Sequence, residues 1–204
     1  MFCNGAERCG GGSESGQCLS ATDPCRTADD PCRICDEVSD KCTFSEEFNW
    51  ADSMSHLVWK REAIYGSFDQ VTDTCAQLAL CGVSDWRLAS ISELRTLIRG
   101  CSVTQTGGSC GVTDSCLADS CESDLCHDGC RTNMTTFNGF IPPEIMNPRT
   151  MTMSSSMTLQ GGVYLMDLSI ASLVRSTPVD EWMPAAENPT RSNSWAGLCV
   201  ADAR

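Results

Sequence analysis

Sixteen of the 204 residues are cysteine, and their placement constrains the fold more than any other feature. Seven lie in the first 42 residues: Cys3, Cys9, Cys18, Cys25, Cys32, Cys35 and Cys42. Six crowd into a second cluster: Cys101, Cys110, Cys116, Cys121, Cys126 and Cys130. Cys75, Cys81 and Cys199 stand apart. The total is even, so complete pairing is open, and so dense a set normally means disulfides kept in an oxidising compartment. The apolar content agrees. Hydrophobic residues reach 41% only with the cysteines counted, which is thin for a conventional core and fits cross-links taking over part of its role. The expected location is secreted or at the cell surface. MFCNGAERCGGG has neither the basic start nor the apolar stretch of a secretory leader. The expectation is therefore that a leader has been removed or that the chain is a piece of a longer surface protein.

Charge narrows the partners. Fourteen basic residues against 27 acidic ones give −13. Nucleic acid needs a basic face and is excluded, as is a polybasic membrane anchor. No apolar run approaches the ~20 residues that would cross a bilayer, so membrane insertion is not expected.

Parity limits the disulfide map. The six cysteines of 101–130 can close three local bridges, whereas seven in residues 1–42 cannot all pair among themselves. One must reach outside, and Cys81 is the natural partner once Cys75 and Cys199 are joined. That last pair is expected because it ties an amphipathic helix to the final strand and closes the largest loop, an effect of roughly 4–5 kcal/mol in the chain-entropy model. Zinc is the weaker reading. Cys32 and Cys35 make one CxxC without a second pair, and His56 and His127 are far apart in sequence.

Two regions follow. Residues 1–42 read as a small, irregular, disulfide-stapled module. Its acidic cluster (Asp23, Asp29, Asp30, Asp36, Glu37, Asp40) lacks the spacing and central glycine of an EF-hand loop, so a solvated surface is preferred to calcium. Residues 43–204 read as an α+β domain with a Cys-rich insertion at 101–130. TFSEEFNW (43–50) and HLVW (56–59) have strand character. Ser67 with Gln70 forms a capping box ahead of a helix whose buried face is Val71, Cys75 and Leu78. Ser90 with Glu93 starts a second helix, with Ile91, Leu94, Leu97 and Ile98 inward and Gly100 as its stop. Strand-like runs follow at 150–156, 162–168, 171–177 and 197–201. Two helices and a mainly antiparallel sheet result, with the domain's termini meeting in the sheet.

The run Asp85-Trp86-Arg87-Leu88, preceded by Cys75 and Gly82 and followed by Glu93-Leu94, resembles the C-terminal domain of Lcl-type bacterial surface adhesins (Fib-succ-major type), a branch of the C-type-lectin-like superfamily. Ala89 stands where that family has proline. Ser154-Ser155-Ser156, Tyr164–Leu168 and Asn193–Val200 are similar to later strands of the family, with Met153 in place of an aromatic and Leu198 in place of arginine. The resemblance spans 43–204, and residues 1–42 look like short Cys-rich repeats of bacterial surface proteins. It implies a C-type-lectin-like fold, with Trp86 plugging the core and Arg87 positioning the turn or pairing with an acidic neighbour. It also implies non-catalytic adhesion through a glycan or protein ligand at a cell surface or matrix.

No nucleophile–base pair, GxSxG run or phosphate loop is present, so an enzyme is not expected. His56 reads as a structural histidine in a strand-like segment and His127 as a solvated side chain. The best ligand-facing segment is 180–195. Trp182 and Trp195 offer stacking, and Glu187, Asn188 and Asn193 offer hydrogen bonds. An ordinary surface loop whose tryptophans fill the core edge is an equal reading. Glu187-Asn188-Pro189 and Asn193-Ser194-Trp195 contain residue types of lectin calcium motifs in another order, so calcium is open but unsupported and no cofactor is expected. The alternative functions are a self-assembling structural subunit of an extracellular filament or assembly and, third, an oxidoreductase like the formylglycine-generating enzymes, which share the superfamily.

Overall fold

The structure, a computed structural model, describes residues 33–36, 41–44, 47–130, 141–145, 151–168, 170–178 and 195–203. The chain divides into two compact units, residues 1–49 with 79–84, and residues 50–78 with 85–204.

In the first unit, β1 (Arg33–Asp36) and β2 (Lys41–Phe44) form an antiparallel hairpin where an irregular course is expected. Its register sets β-branched Ile34 opposite Thr43 and Cys35 opposite Cys42, pairs that suit a pleated ladder. Residues 79–84 carry a tight turn. The Leu80 and Val83 amides each donate to the other's carbonyl, at 2.9 and 3.0 Å. Cys81 and Gly82 fill the central positions at φ 57° and 73°. Two positive-φ residues in succession are what a type I′ turn requires. Cys81, an unusual residue in that conformation, is disulfide-bonded.

The second unit holds both expected capping boxes. Ser67 Oγ accepts from the Gln70 amide and Gln70 Oε1 from the Ser67 amide, opening α1 (Phe68–Ala76). Ser90 and Glu93 repeat the exchange for α2 (Ile91–Thr96). Each box satisfies two backbone donors that a helix start would otherwise leave bare. Both helices are shorter than their apolar stripes. Leu78 lies beyond the end of α1 and is only half-buried. After Thr96 the winding tightens, with the Leu97 amide bonded to Leu94 O and the Ile98 amide to Arg95 O. That i→i−3 pattern keeps Leu97 and Ile98 buried although the helix has stopped four residues before Gly100.

Two sheets flank the helices. One has β3 (Asn49–Asp52), β4 (Leu57–Lys60), β6 (Arg87–Leu88) and β11 (Cys199–Asp202) in the order β3-β4-β11-β6. The other has β5 (Ile64–Gly66), β7 (Met151–Met157), β8 (Gly162–Asp167), β9 (Ser172–Pro178) and β10 (Trp195–Gly197) in the order β5-β10-β7-β8-β9. Among the described strand pairs only β10 with β7 is parallel. The unit's early strand β4 and its last strand β11 are neighbours, so the ends of the domain do meet in a sheet. Trp59, Ile91, Leu94, Leu97, Tyr164, Met166, Leu173 and Leu198 form the buried centre. Trp86 is buried, and Arg87 pairs with Glu93 and Asp202, as the sequence leads one to expect.

The insertion is more ordered than a loop. It contains a 3-10 turn at Asp119–Cys121 and a third helix, α3 (Asp124–Asp128), neither foreseen from the sequence. Three bridges close within it: Cys101–Cys130, Cys110–Cys126 and Cys116–Cys121. Cys75 is bonded to Cys199 across 124 residues. Cys81's partner is none of these eight; the N-terminal cysteines expected to reach it lie largely outside the described residues. Cys101, Cys110 and Cys126 are part of the hydrophobic core itself.

Two expected outcomes follow from this packing. Replacing Cys75 and Cys199 by serine lowers the unfolding free energy by roughly 4–5 kcal/mol in non-reducing denaturant titration. At Gly197 an added Cβ would sit 2.3 Å from Val71 Cγ1, and a valine in a helix has almost no alternative rotamer. Gly197→Ala therefore costs about 1–3 kcal/mol. Adding Val71→Ala recovers part of that loss, and a double-mutant cycle reads the coupling.

Candidate functional site

Of the five residues chosen from the sequence, Trp182, Glu187, Asn188 and Asn193 lie outside the described residues. Trp195 is described. It is the half-buried first residue of β10, opposite Gly66 of β5, at the point where the 180–195 segment enters the sheet.

Polar chemistry elsewhere in the second unit is concentrated around α2. At its N-terminus, Asp114 reaches in from the insertion. One carboxylate oxygen accepts from Ser156 Oγ at 2.6 Å and the other from Ser90 Oγ at 2.6 Å. The Asp114 amide donates to Ser92 Oγ, and Ser156 Oγ accepts from the Ile91 amide. An anion here also meets the positive end of the helix. Burial pushes the Asp114 carboxyl up, but its hydrogen bonds from Ser156, Ser90 and Ser92 outweigh that and hold it below the ordinary carboxylate range.

Arg95, on the same helix and only 2% exposed, organises the start of the insertion. Its Nε donates to Thr104 O at 2.8 Å, Nη2 to Gln105 O at 2.9 Å, and Nη1 to Val112 O. The guanidinium fork thus gathers three carbonyls of the curled chain, of which Gln105 O also accepts from the Gly108 amide at 2.9 Å. Thr104 Oγ1 then donates to Ala171 O at 2.6 Å, tying the insertion to the residue before β9. At Gly108 a Cβ would lie 2.3 Å from Val103 O, so only glycine fits this curl.

At the other end of α2, Asp52 closes the β3–β4 turn. It accepts from the Met54 amide at 3.0 Å, Ser55 Oγ at 2.7 Å and Arg99 Nη2 at 2.7 Å. Burial raises its pKa, yet the bonds from Ser55, Arg99 and Met54 and the Arg99 charge more than compensate, so the net shift is downward. The Arg99 guanidinium also lies over Trp50, 5.6 Å from the ring centroid. A cleft of about 420 Å³ opens beside it. Met54 and Ser55 of the turn form one side, Thr96, Ile98, Arg99 and Gly100 another, and Gln105 and Thr106 of the insertion the third. Sequence reasoning missed it because the turn that forms one wall is far in sequence from the 96–106 stretch that forms the other two. The local signals in the sequence were Asp52, shortly before the HLVW run, and Arg99 just past an apolar stripe.

His56 is exposed in that turn at φ 57°, not in a strand. His127 is paired with Glu122 at 2.9 Å. Among the described residues no three His, Cys, Asp or Glu side chains converge as metal ligands, and no helix is long and apolar enough to cross a membrane. Comparison with protein-family models, curated proteins and solved structures finds no match for this chain.

The depressed carboxyls set an acid limit. A group whose folded pKa is lowered stabilises the fold above its unfolded pKa and loses that contribution as pH falls through the folded value. Stability should therefore be level near neutrality and decline on the acid side of the ordinary carboxylate range. In Asp114→Asn the fold is weaker at pH 7 by about 0.5–1.5 kcal/mol, solvent screening at this exposed residue reducing the loss, and part of the acid decline is gone. Thermal unfolding across a pH series measures both.

Proposed function

We propose that the chain is an extracellular, non-catalytic recognition module of the C-type-lectin-like kind, binding a glycan or protein ligand at a bacterial surface. The observation that carries this reading is where the described disulfides fall. Three order one long insertion, and the fourth ties α1 to the last strand. Stapling of that kind supports an oxidising compartment and gives loops a rigid frame, the arrangement in which loops carry binding. The 180–195 segment, entering β10 at Trp195, is the proposed recognition loop, with Trp182 and Trp195 for stacking and Glu187, Asn188 and Asn193 for hydrogen bonds. The Asp85–Leu88 run, the helix pair and the return of the last strand beside the early strand β4 support the family reading.

A glycan array probed with the oxidised protein, with and without calcium, tests it. The expected result is selective binding that Trp182→Ala weakens at least tenfold. Self-association without any glycan or protein ligand overturns it in favour of a surface assembly. Several free thiols in the native protein overturn it in favour of redox chemistry.

A further inference from the structure

The cleft between the β3–β4 turn, the end of α2 and the insertion differs in character from the rest of this acidic molecule. None of its lining residues is Asp or Glu, although the chain carries −13. The adjacent carboxylate, Asp52, has a side chain only 1% exposed, and both its oxygens accept bonds from the protein.

Donors remain. Arg99 uses Nη2 on Asp52, and among the described residues its Nη1 donates to nothing, while the side chain is 36% exposed. Gln105 Oε1 accepts from the Gly100 amide at 3.2 Å, which leaves the Gln105 amide nitrogen free to donate. The Thr106 hydroxyl adds another at the rim. Beside these stand Met54, 73% exposed, and Ile98. At Gly100, which also lines the cleft, an added Cβ would meet nothing within 4 Å.

Guanidinium and amide N–H groups lining one cleft without a competing acid suit an acceptor with two planar oxygens. Clefts of a few hundred Å³ suit small molecules held by a few such polar groups against an apolar wall. We propose that this cleft binds the carboxylate of a small polar ligand. Arg99 Nη1 and the Gln105 amide grip the two oxygens, and the ligand's carbon skeleton lies on Met54. The site is independent of the 180–195 loop and stands even where that loop binds nothing.

The shared chemistry has two sources, a sugar acid or the terminal carboxylate of an amino acid or peptide, and matched probes separate them. Methyl glucuronide is compared with methyl glucoside, and N-acetylalanine with its amide. Each is titrated into the full oxidised chain carrying ¹³C-methyl methionine, the Met54 signal being assigned with Met54→Leu. In the expected result the acid of at least one pair shifts the Met54 methyl and binds at least tenfold more tightly than its neutral partner; which acid does so names the source. Gln105→Glu keeps the acceptor that Gly100 needs but places a negative charge where the donor stood. It should weaken the acid at least tenfold, with an unchanged near-UV spectrum confirming the fold. Equal binding of acid and neutral probe, a silent Met54 up to roughly 50 mM, where even weak contacts register, or undiminished affinity in Gln105→Glu overturns the proposal.

Discussion

The last two strands, from Trp195 to Asp202, hold the second unit together. The first three of these residues pair with β5 and β7 in one sheet, and the last four pair with β4 and β6 in the other. Leu198 alone separates the two runs. It is buried, and its carbonyl accepts from the Ala89 amide at 3.0 Å. Ala89 in turn accepts from the Ser155 amide of β7 at 2.8 Å. The Leu198 and Ala89 carbonyls at the junction thereby find partners, as a dry interior demands. The next residue, Cys199, is cross-linked to α1. A single strand passing between sheets cannot slip register without breaking pairings on both sides, which fixes the sheets and the helix relative to each other.

The insertion shows how a modest apolar content suffices. Its sulfurs are not surface clasps, because Cys101, Cys110 and Cys126 sit among Val112, Leu173 and Ala171 in the core. Disulfides there supply both packing volume and a constraint on the unfolded chain. Arg95 does a different task. An apolar side chain in its place would take the donor from Thr104 O and Val112 O, each a cost of about 1–3 kcal/mol, while Gln105 O would keep the Gly108 amide. A buried cation surrounded by carbonyl dipoles is the local solution to a curl that makes few ladder hydrogen bonds.

What was legible in the sequence was local. Both capping boxes are read from two residues three apart, and both form. The strand-like runs at 162–168 and 171–177 are read without tertiary information, and β8 and β9 form there. Where the reading failed, a competing constraint was non-local. Apolar spacing carried α2 on to Ile98, but the turn tightens because Arg95 and Leu97 answer to the insertion and the core. His56 looked like a strand residue because three apolar residues follow it, yet Asp52 captures the preceding chain into a turn. The hairpin at 33–44 escaped notice because cysteine and charge mask its alternation.

The cleft escaped for the same physical reason, and that reason explains why it is well formed. Its three walls belong to segments that are each anchored separately: the turn by Asp52, the end of α2 by the core through Leu97 and Ile98, and the insertion by Arg95. Arg99 and Gln105 are therefore held by bonds that serve the fold, Asp52 to the one and Gly100 to the other. Groups fixed for structural ends lose little further freedom when a ligand arrives, and that lost freedom is a principal cost of binding. Pre-organisation at this cleft comes from the same hydrogen bonds that let the Cys-rich insertion leave the helix.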